Sequence, residues 1–111
     1  MIITFRSRAA GDVIMFGDVA KRMLEIMGKD PEEPKGILTV AQLPQAIASL
    51  QQAIADDKAR MAAMAEEDRP KTEPAPGGGK RPFVSLAQRA APLLEQLNYS
   101  LKEEQPVTWG T

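Results

Sequence analysis

Apolar and polar positions near the start of the chain follow the pattern of two short strands. Residues 1–5 and 13–16 are β-branched and aromatic runs, which is typical of strands. Between them, residues 8–12 include the Gly and Asp that tight turns favour. The pattern predicts a β-hairpin at this end of the chain.

Helical spacing begins after the hairpin. Asp18 is predicted to cap a short helix that ends at Gly28, where glycine adopts the left-handed conformation at low cost. The apolar side of this helix is formed by Val19, Met23, Ile26 and Met27. Pro31 and Pro34 then indicate a polar connection, since proline cannot continue a helix.

A second helix has the clearest apolar stripe of the sequence, formed by Leu43, Ile47, Leu50 and Ile54. Met61 and Met64 extend this stripe beyond the charged residues 56–58. Thr39 and Gln42 have the spacing of a capping box, and Pro44 places the start of the regular helix near itself, after a preliminary turn.

The composition changes abruptly at residues 66–82. This segment contains four prolines and three consecutive glycines and no large apolar residue, a composition typical of a flexible linker. The consecutive glycines before Lys80 lack the spacing of a phosphate-binding loop. We therefore expect a flexible linker inside one domain that spans residues 1–111.

The last third of the chain predicts a helix and a closing strand. Ser85 and Gln88 repeat the capping-box spacing, and the stripe that follows consists of Leu86, Ala90, Leu93, Leu97 and Leu101. Pro92 falls inside this helix, where we expect a kink. Residues 107–109 are predicted to form a strand beside the hairpin, because an isolated hairpin is marginal in water.

These elements predict an α+β fold with a small three-stranded antiparallel sheet, made of the hairpin and the closing strand, and about three helices on one face. An antiparallel sheet can leave its other face to solvent or to a partner. Its edge strands are available for pairing with another chain.

Composition narrows the classes of function. The chain has 111 residues with 43% apolar and 26% charged residues, which fits a folded domain. It contains neither cysteine nor histidine, so disulfides, thiolate chemistry and the usual zinc sites are excluded, and an enzymatic activity is not favoured. We expect no cofactor and no metal.

The net charge and the hydropathy of the chain limit the partners and the location that we expect. The net charge is −1, which provides no overall field for a nucleic acid or an anionic membrane. Neither a secretory signal nor an apolar run long enough to cross a bilayer is present. A cytoplasmic location is the expectation.

Three stretches carry a resemblance to a known family. They are Phe5-x-Ser7-x-Ala9-x-Gly11-Asp12-x-x-Met15-Phe16, Leu86-Ala87-Gln88-Arg89-Ala90-x-Pro92-Leu93-Leu94 and Val107-x-Trp109. With the variable segment before the second stretch, the chain resembles the bacterial domain of unknown function 1840 family over nearly its whole length. Residues 98–105 depart from the alanine- and glycine-rich connection usual there. The resemblance implies a small cytosolic bacterial protein, and it brings no activity, cofactor or catalytic residue.

Ser7, Gly11 and Asp12 are candidate ligand contacts, because a hydroxyl and a carboxylate in the hairpin turn can orient a small polar molecule or a water. The same residues are common in turns for structural reasons alone. Arg89 is a second candidate. It can bind a carboxylate or phosphate, form an ion pair with Asp12, or cover the sheet edge with its aliphatic stem.

Three apolar residues are candidate partner contacts. Met61 and Met64 lie late in a helix that can extend beyond the sheet, where they would form an exposed apolar strip. Trp109, the only tryptophan, is either an exposed anchor for a partner or a core residue.

Two hypotheses about function remain open, with a third of lower rank. The first is a non-catalytic interaction or regulatory module that binds itself or another protein through the exposed sheet face, a strand edge or the Met61 to Met64 end. The second is a small-molecule or anion-binding protein, or a minor enzyme, in which Ser7, Gly11, Asp12 and Arg89 surround one pocket. The third is weak nucleic-acid binding through Arg6, Arg8, Lys80 and Arg81.

Overall fold

The computed structural model describes residues 1–110, and these form an α+β fold, as the sequence predicts. The strands are β1 (Ile2–Ser7), β2 (Ala10–Phe16), β3 (Gly36–Leu38), β4 (Thr72–Pro74), β5 (Lys80–Pro82) and β6 (Val107–Trp109). The helices are α1 (Gly17–Ile26), α2 (Leu43–Ala63) and α3 (Leu86–Lys102). Short 3₁₀ turns lie at Val40–Gln42 and Glu66–Asp68.

The main sheet has four strands rather than the three that the sequence predicts. Its order is β2-β1-β6-β3 and all its neighbours are antiparallel. The additional strand is β3, which pairs with β6 so that Gly36 lies opposite Trp109 and Ile37 opposite Thr108. With three residues, β3 is too short for an alternating pattern to be visible in the sequence.

One face of the main sheet carries the core. Phe5, Met15, Leu38, Val107 and Trp109 are buried on it together with the apolar faces of the three helices. α1 and α3 pack on β1 and β2, and α2 packs on α1 and α3. The opposite face is left without a covering layer, and it exposes four apolar side chains: Ile2, Ile14, Phe16 and Ile37.

The helix ends follow the sequence signals. Gly28 follows the C-cap Met27 of α1 and has a φ of +81°, and the bonds Gly28 N to Glu25 O and Lys29 N to Leu24 O close a Schellman motif. The capping boxes predicted at Thr39 and Ser85 are both present. Asp18 does not cap α1, however, because the N-cap is Phe16, two residues earlier, and Asp18 lies in the first turn of the helix.

The proline- and glycine-rich segment 66–82 contains a second, two-stranded sheet. β4 and β5 pair antiparallel, and Gly77, Gly78 and Gly79 provide the positive φ values of the connection between them. Two charged contacts, Arg81 with Asp18 and Arg89 with Glu73, attach this hairpin to α1 and α3. The flexibility of the segment stays a prediction.

Candidate functional site

The hydroxyl of Ser7 takes part in a chain of hydrogen bonds between β1 and α3. Ser7 Oγ lies 2.6 Å from Ser100 Oγ, and Ser100 Oγ donates to the Gln96 carbonyl oxygen at 2.6 Å. Ser7 Oγ also accepts from the Ala9 amide at 3.1 Å. These contacts tie the end of β1 to α3 and give the hydroxyl a structural role.

Gly11 and Asp12 lie in β2 rather than in the hairpin turn. Phe5 pairs with Val13 and Ser7 with Ala10, so two residues of β2 face one of β1 and form a bulge. The turn itself consists of residues 8 and 9. The sequence placed Gly11 and Asp12 in the turn because Gly and Asp are enriched in both settings.

A buried amide from α3 supports this bulge. Gln96 is 1% exposed, and its Nε2 donates to the carbonyl oxygens of Phe5 at 2.9 Å and Gly11 at 3.1 Å. Among residues 1–110, nothing donates a hydrogen bond to its Oε1. Sequence analysis did not select Gln96, although a glutamine within the predicted apolar stripe of a helix is the signal that could have found it.

Arg89 pairs with a carboxylate of the small hairpin and not with Asp12. Its Nη2 donates to Glu73 Oε1 at 2.7 Å, and the same oxygen accepts from the Val84 amide at 3.1 Å. Arg81 Nη2 lies 3.5 Å from the other oxygen of Glu73. The hydrogen bond from Arg89 holds the pKa of Glu73 below its usual value; the bonds from Val84 and Arg81 act in the same direction, and partial desolvation opposes them.

Arg89 and the bulge line separate cavities. Arg89 lines one of about 340 Å³ together with Phe16 and Val84, whereas Asp12 lines another of about 350 Å³ together with Pro92 and Gln96. Asp12 itself lies 3.8 Å from Arg6. The structure therefore does not bring Ser7, Gly11, Asp12 and Arg89 around one pocket.

The three apolar candidates differ in their exposure. Met61 and Met64, at the end of α2, are half-buried. Trp109 is 1% exposed, and its ring lies 5.8 Å from that of Phe5 between centroids. The tryptophan is thus a core residue in this fold.

Acidic side chains accompany two of the four basic residues considered for nucleic acid. Arg6 faces Asp12, as described, and Arg81 Nη2 donates to Asp18 Oδ2 at 3.1 Å. Lys80 lies on β5 and Arg8 in the hairpin turn. The four do not form a continuous basic surface.

The edge of the main sheet at β2 has main-chain groups that face away from the sheet. The Gly17 amide donates to the Met1 carbonyl at 2.9 Å, so the pair 1 and 17 is a hydrogen-bonded pair of the antiparallel ladder. Because hydrogen-bonded and non-hydrogen-bonded pairs alternate, Val13 and Met15 also bond to β1. The N–H and C=O of Ile14 and the N–H of Phe16 therefore point outward.

The two separate cavities described above lie one after the other along this edge, and together they form an interrupted groove between β2 and one flank of α3. At one end it lies between Ile14 and Phe16 of β2 and the segment that leads into α3, and at the other between the bulge and the middle of α3. The α3 side is lined by Val84, Gln88, Arg89, Pro92, Glu95, Gln96 and Tyr99. We call this the edge groove.

The outer face of the sheet beside the edge groove is apolar. Ile14 is 65% exposed, Ile2 60% and Phe16 48%, and Ile2 lies directly opposite Phe16 in the ladder. Arg81 covers part of this patch, with its guanidinium carbon 5.7 Å from the centroid of the Phe16 ring. Sequence analysis did not select Ile14 and Phe16, although their alternation with the buried Met15 was the available signal.

Residues 1–110 contain neither a metal-binding cluster nor a membrane-spanning helix. These residues contain no cluster of three or more acidic, cysteine or histidine side chains that could hold a metal ion. In the same range, every helix is too short or too polar to cross a membrane.

Comparison with known proteins gives a family. The model of the family described as Domain of unknown function (DUF1840) matches residues 1–109. The chain belongs to this family. No curated protein and no solved structure matches it. The DUF1840 match covers nearly the whole chain, and it confirms the resemblance to this family found in the sequence.

Proposed function

We propose that this protein is a non-catalytic protein-interaction module of the bacterial cytoplasm, and that it binds an extended segment of polypeptide in the edge groove. The segment adds a strand to the main sheet at β2. This mode of recognition takes its affinity from main-chain hydrogen bonds and its specificity from the side chains on either side of the added strand.

The outward main-chain groups of β2 carry the proposal. Ile14 presents both an N–H and a C=O, and Phe16 presents an N–H, at an edge beside which no strand lies among residues 1–110. β2 is seven residues long, and its residues 13–16 contain no proline and no charged residue, the residues that commonly block pairing at sheet edges. The bulge at Gly11 and Asp12 leaves residues 13–16 available for regular pairing.

The two walls of the edge groove define what an added strand would meet. On the outer face its side chains would contact Ile14 and Phe16, and on the inner face they would contact the flank of α3. That flank carries both Arg89 and Glu95. We expect a segment with apolar residues at alternate positions, and with charged residues of both signs on the side that faces α3.

A library of random peptides displayed on phage tests the proposal, with the purified protein as the immobilised target. The affinities of selected peptides are then measured for the unchanged protein, for Ile14→Lys and for Ile37→Lys. Ile37 is the matched control, because it is an exposed isoleucine on the same face of the sheet but on the opposite edge strand, β3.

We expect peptides with alternating apolar residues that bind the unchanged protein and Ile37→Lys equally well. Ile14→Lys should weaken their binding about tenfold or more, because it places a charge beside the added strand. Selected peptides that bind Ile14→Lys as tightly as the unchanged protein would show that the edge groove is not the docking site.

A further inference from the structure

The outward main-chain groups of β2 can pair with the same groups of a second copy of the chain. In an antiparallel pairing of β2 with β2 of a second copy, a two-fold axis at Ile14 brings the two Ile14 main chains together. The N–H and C=O of each Ile14 then bond to those of the other, because both sets point outward. The two exposed Ile14 side chains meet on the outer face.

The same register pairs opposite charges. It brings the bulged end of β2, with Asp12, towards Phe16 of the second copy, and Phe16 lies under the guanidinium of Arg81. Nε and Nη1 of Arg81 are buried without an acceptor among residues 1–110, and Nη2 already faces Asp18 and Glu73, so Asp12 of the second copy would attract Arg81 by its charge alone. The symmetric contact forms on the other side of the axis.

The helices permit this approach. β2 and α3 run in opposite directions, since Ile14 and Phe16 lie beside Val84 and Arg89, while the bulge lies beside Pro92 and the residues that follow it. The axis at Ile14 therefore passes near the middle of the α3 flank. The two α3 helices then run antiparallel, and Arg89 of each copy lies level with Glu95 of the other across the axis.

The spacing of the layers agrees with helix packing. α3 contacts β1 as well as β2, and the dimer requires that the axis of α3 lies above the space between these two strands. With strands about 4.8 Å apart, two such helices related by the axis would lie roughly 9–10 Å apart, which is a normal distance for packed helices.

We propose that a second copy of this chain occupies the edge groove and forms a two-fold dimer in which β2 pairs with β2 and the two four-stranded sheets become one. This inference rests on the proposed function, since both use the open edge of β2. It adds the identity of the partner and the register of the pairing.

Single cysteines test the register, because the chain has none of its own. In the proposed dimer, Ile14→Cys places two cysteines at the axis, with their α-carbons about 5.5 Å apart. Ile37→Cys, on the far edge strand, is the control. Each variant is treated with a short bismaleimide after circular dichroism has confirmed its fold. Native mass spectrometry of the unchanged protein at increasing concentration reports the association itself.

We expect a species of twice the 12.1 kDa chain mass, and cross-linked dimer from Ile14→Cys but not from Ile37→Cys. Ile14→Lys should weaken association about a hundredfold, because two lysines would face each other at the axis. Equal cross-linking of the two cysteine variants, or a monomer at every concentration, overturns the proposed dimer.

The two proposals fail separately. A monomer that still binds selected peptides through Ile14 excludes the second copy as the occupant and leaves the peptide-binding function intact. If Ile14→Lys dimerises as tightly as the unchanged protein, the dimer interface lies elsewhere on the molecule and the proposed dimer is wrong. Peptides that bind Ile14→Lys unchanged would in addition remove the function proposed for the edge groove.

Discussion

The indole of Trp109 lies directly on the α-carbon of Gly36, its partner on the neighbouring strand. A β-carbon at residue 36 would fall 2.5 Å from Cζ2 of Trp109 and 2.9 Å from Cε2. β3 can therefore join the sheet only because residue 36 has no side chain. This contact links the last strand, the fourth strand and the core.

Gly36→Ala should destabilise the fold by about 1–3 kcal/mol, because the added methyl group would displace an indole that is buried in the core. Urea denaturation followed by Trp109 fluorescence measures this change, since the chain has one tryptophan. Gly11→Ala is the control: a β-carbon there would meet nothing within 4 Å, and we expect a much smaller loss. Equal stability of Gly36→Ala and the unchanged protein would contradict the close contact.

Gln96→Leu should lower the free energy of unfolding by about 1–3 kcal/mol. The carbonyl oxygens of Phe5 and Gly11, which lie in a buried or partly buried environment, lose their hydrogen-bond donor. Asn98→Leu, two residues further along α3, is the matched control. Its amide is exposed and contacts only the Leu94 carbonyl of the same helix, so the change should stay within about 0.5 kcal/mol. Similar losses in the two variants would show that Gln96 does not hold the bulge.

Glu73 should make stability depend on pH in one direction. The fold lowers the pKa of Glu73, mainly through the hydrogen bond from Arg89. The ionised side chain therefore stabilises the native state more than the protonated side chain does. The contribution is present at pH values above the ordinary pKa of a glutamate and is lost as the pH falls through the lowered pKa.

Comparison of the unchanged protein with Glu73→Gln over a pH series checks this prediction. The unchanged protein should be the more stable of the two near neutral pH, and the difference should shrink on acidification. Glu67→Gln, in the 3₁₀ turn, is an exposed control. A difference that is constant or grows as the pH falls would contradict the ion pair.

Much of the fold could be predicted from the sequence because its signals are local. The capping boxes at Thr39 and Ser85, the stop at Gly28 and the apolar stripes of α2 and α3 each depend on residues a few positions apart. The strand at 107–109 followed from a physical need, since the hairpin requires a partner.

The parts that could not be predicted depend on residues far apart in the chain. β3 has only three residues and is defined by its pairing with β6, which lies some seventy positions later. The partner of Arg89 is Glu73, which lies in a segment whose composition indicates a linker. Sequence analysis named Asp12 and strand edges as candidates, but it could not show that Ile14 presents its main chain outward.

Amide exchange at Ile14 measures the central claim most directly. In a dilute sample, NMR-detected hydrogen exchange should show fast exchange for Ile14 and Phe16 and slow exchange for Val13 and Met15, which bond to β1. At high protein concentration, or with a selected peptide, Ile14 and Phe16 should become protected. If both amides stay unprotected under every such condition, no strand adds at β2 and the proposed function is wrong.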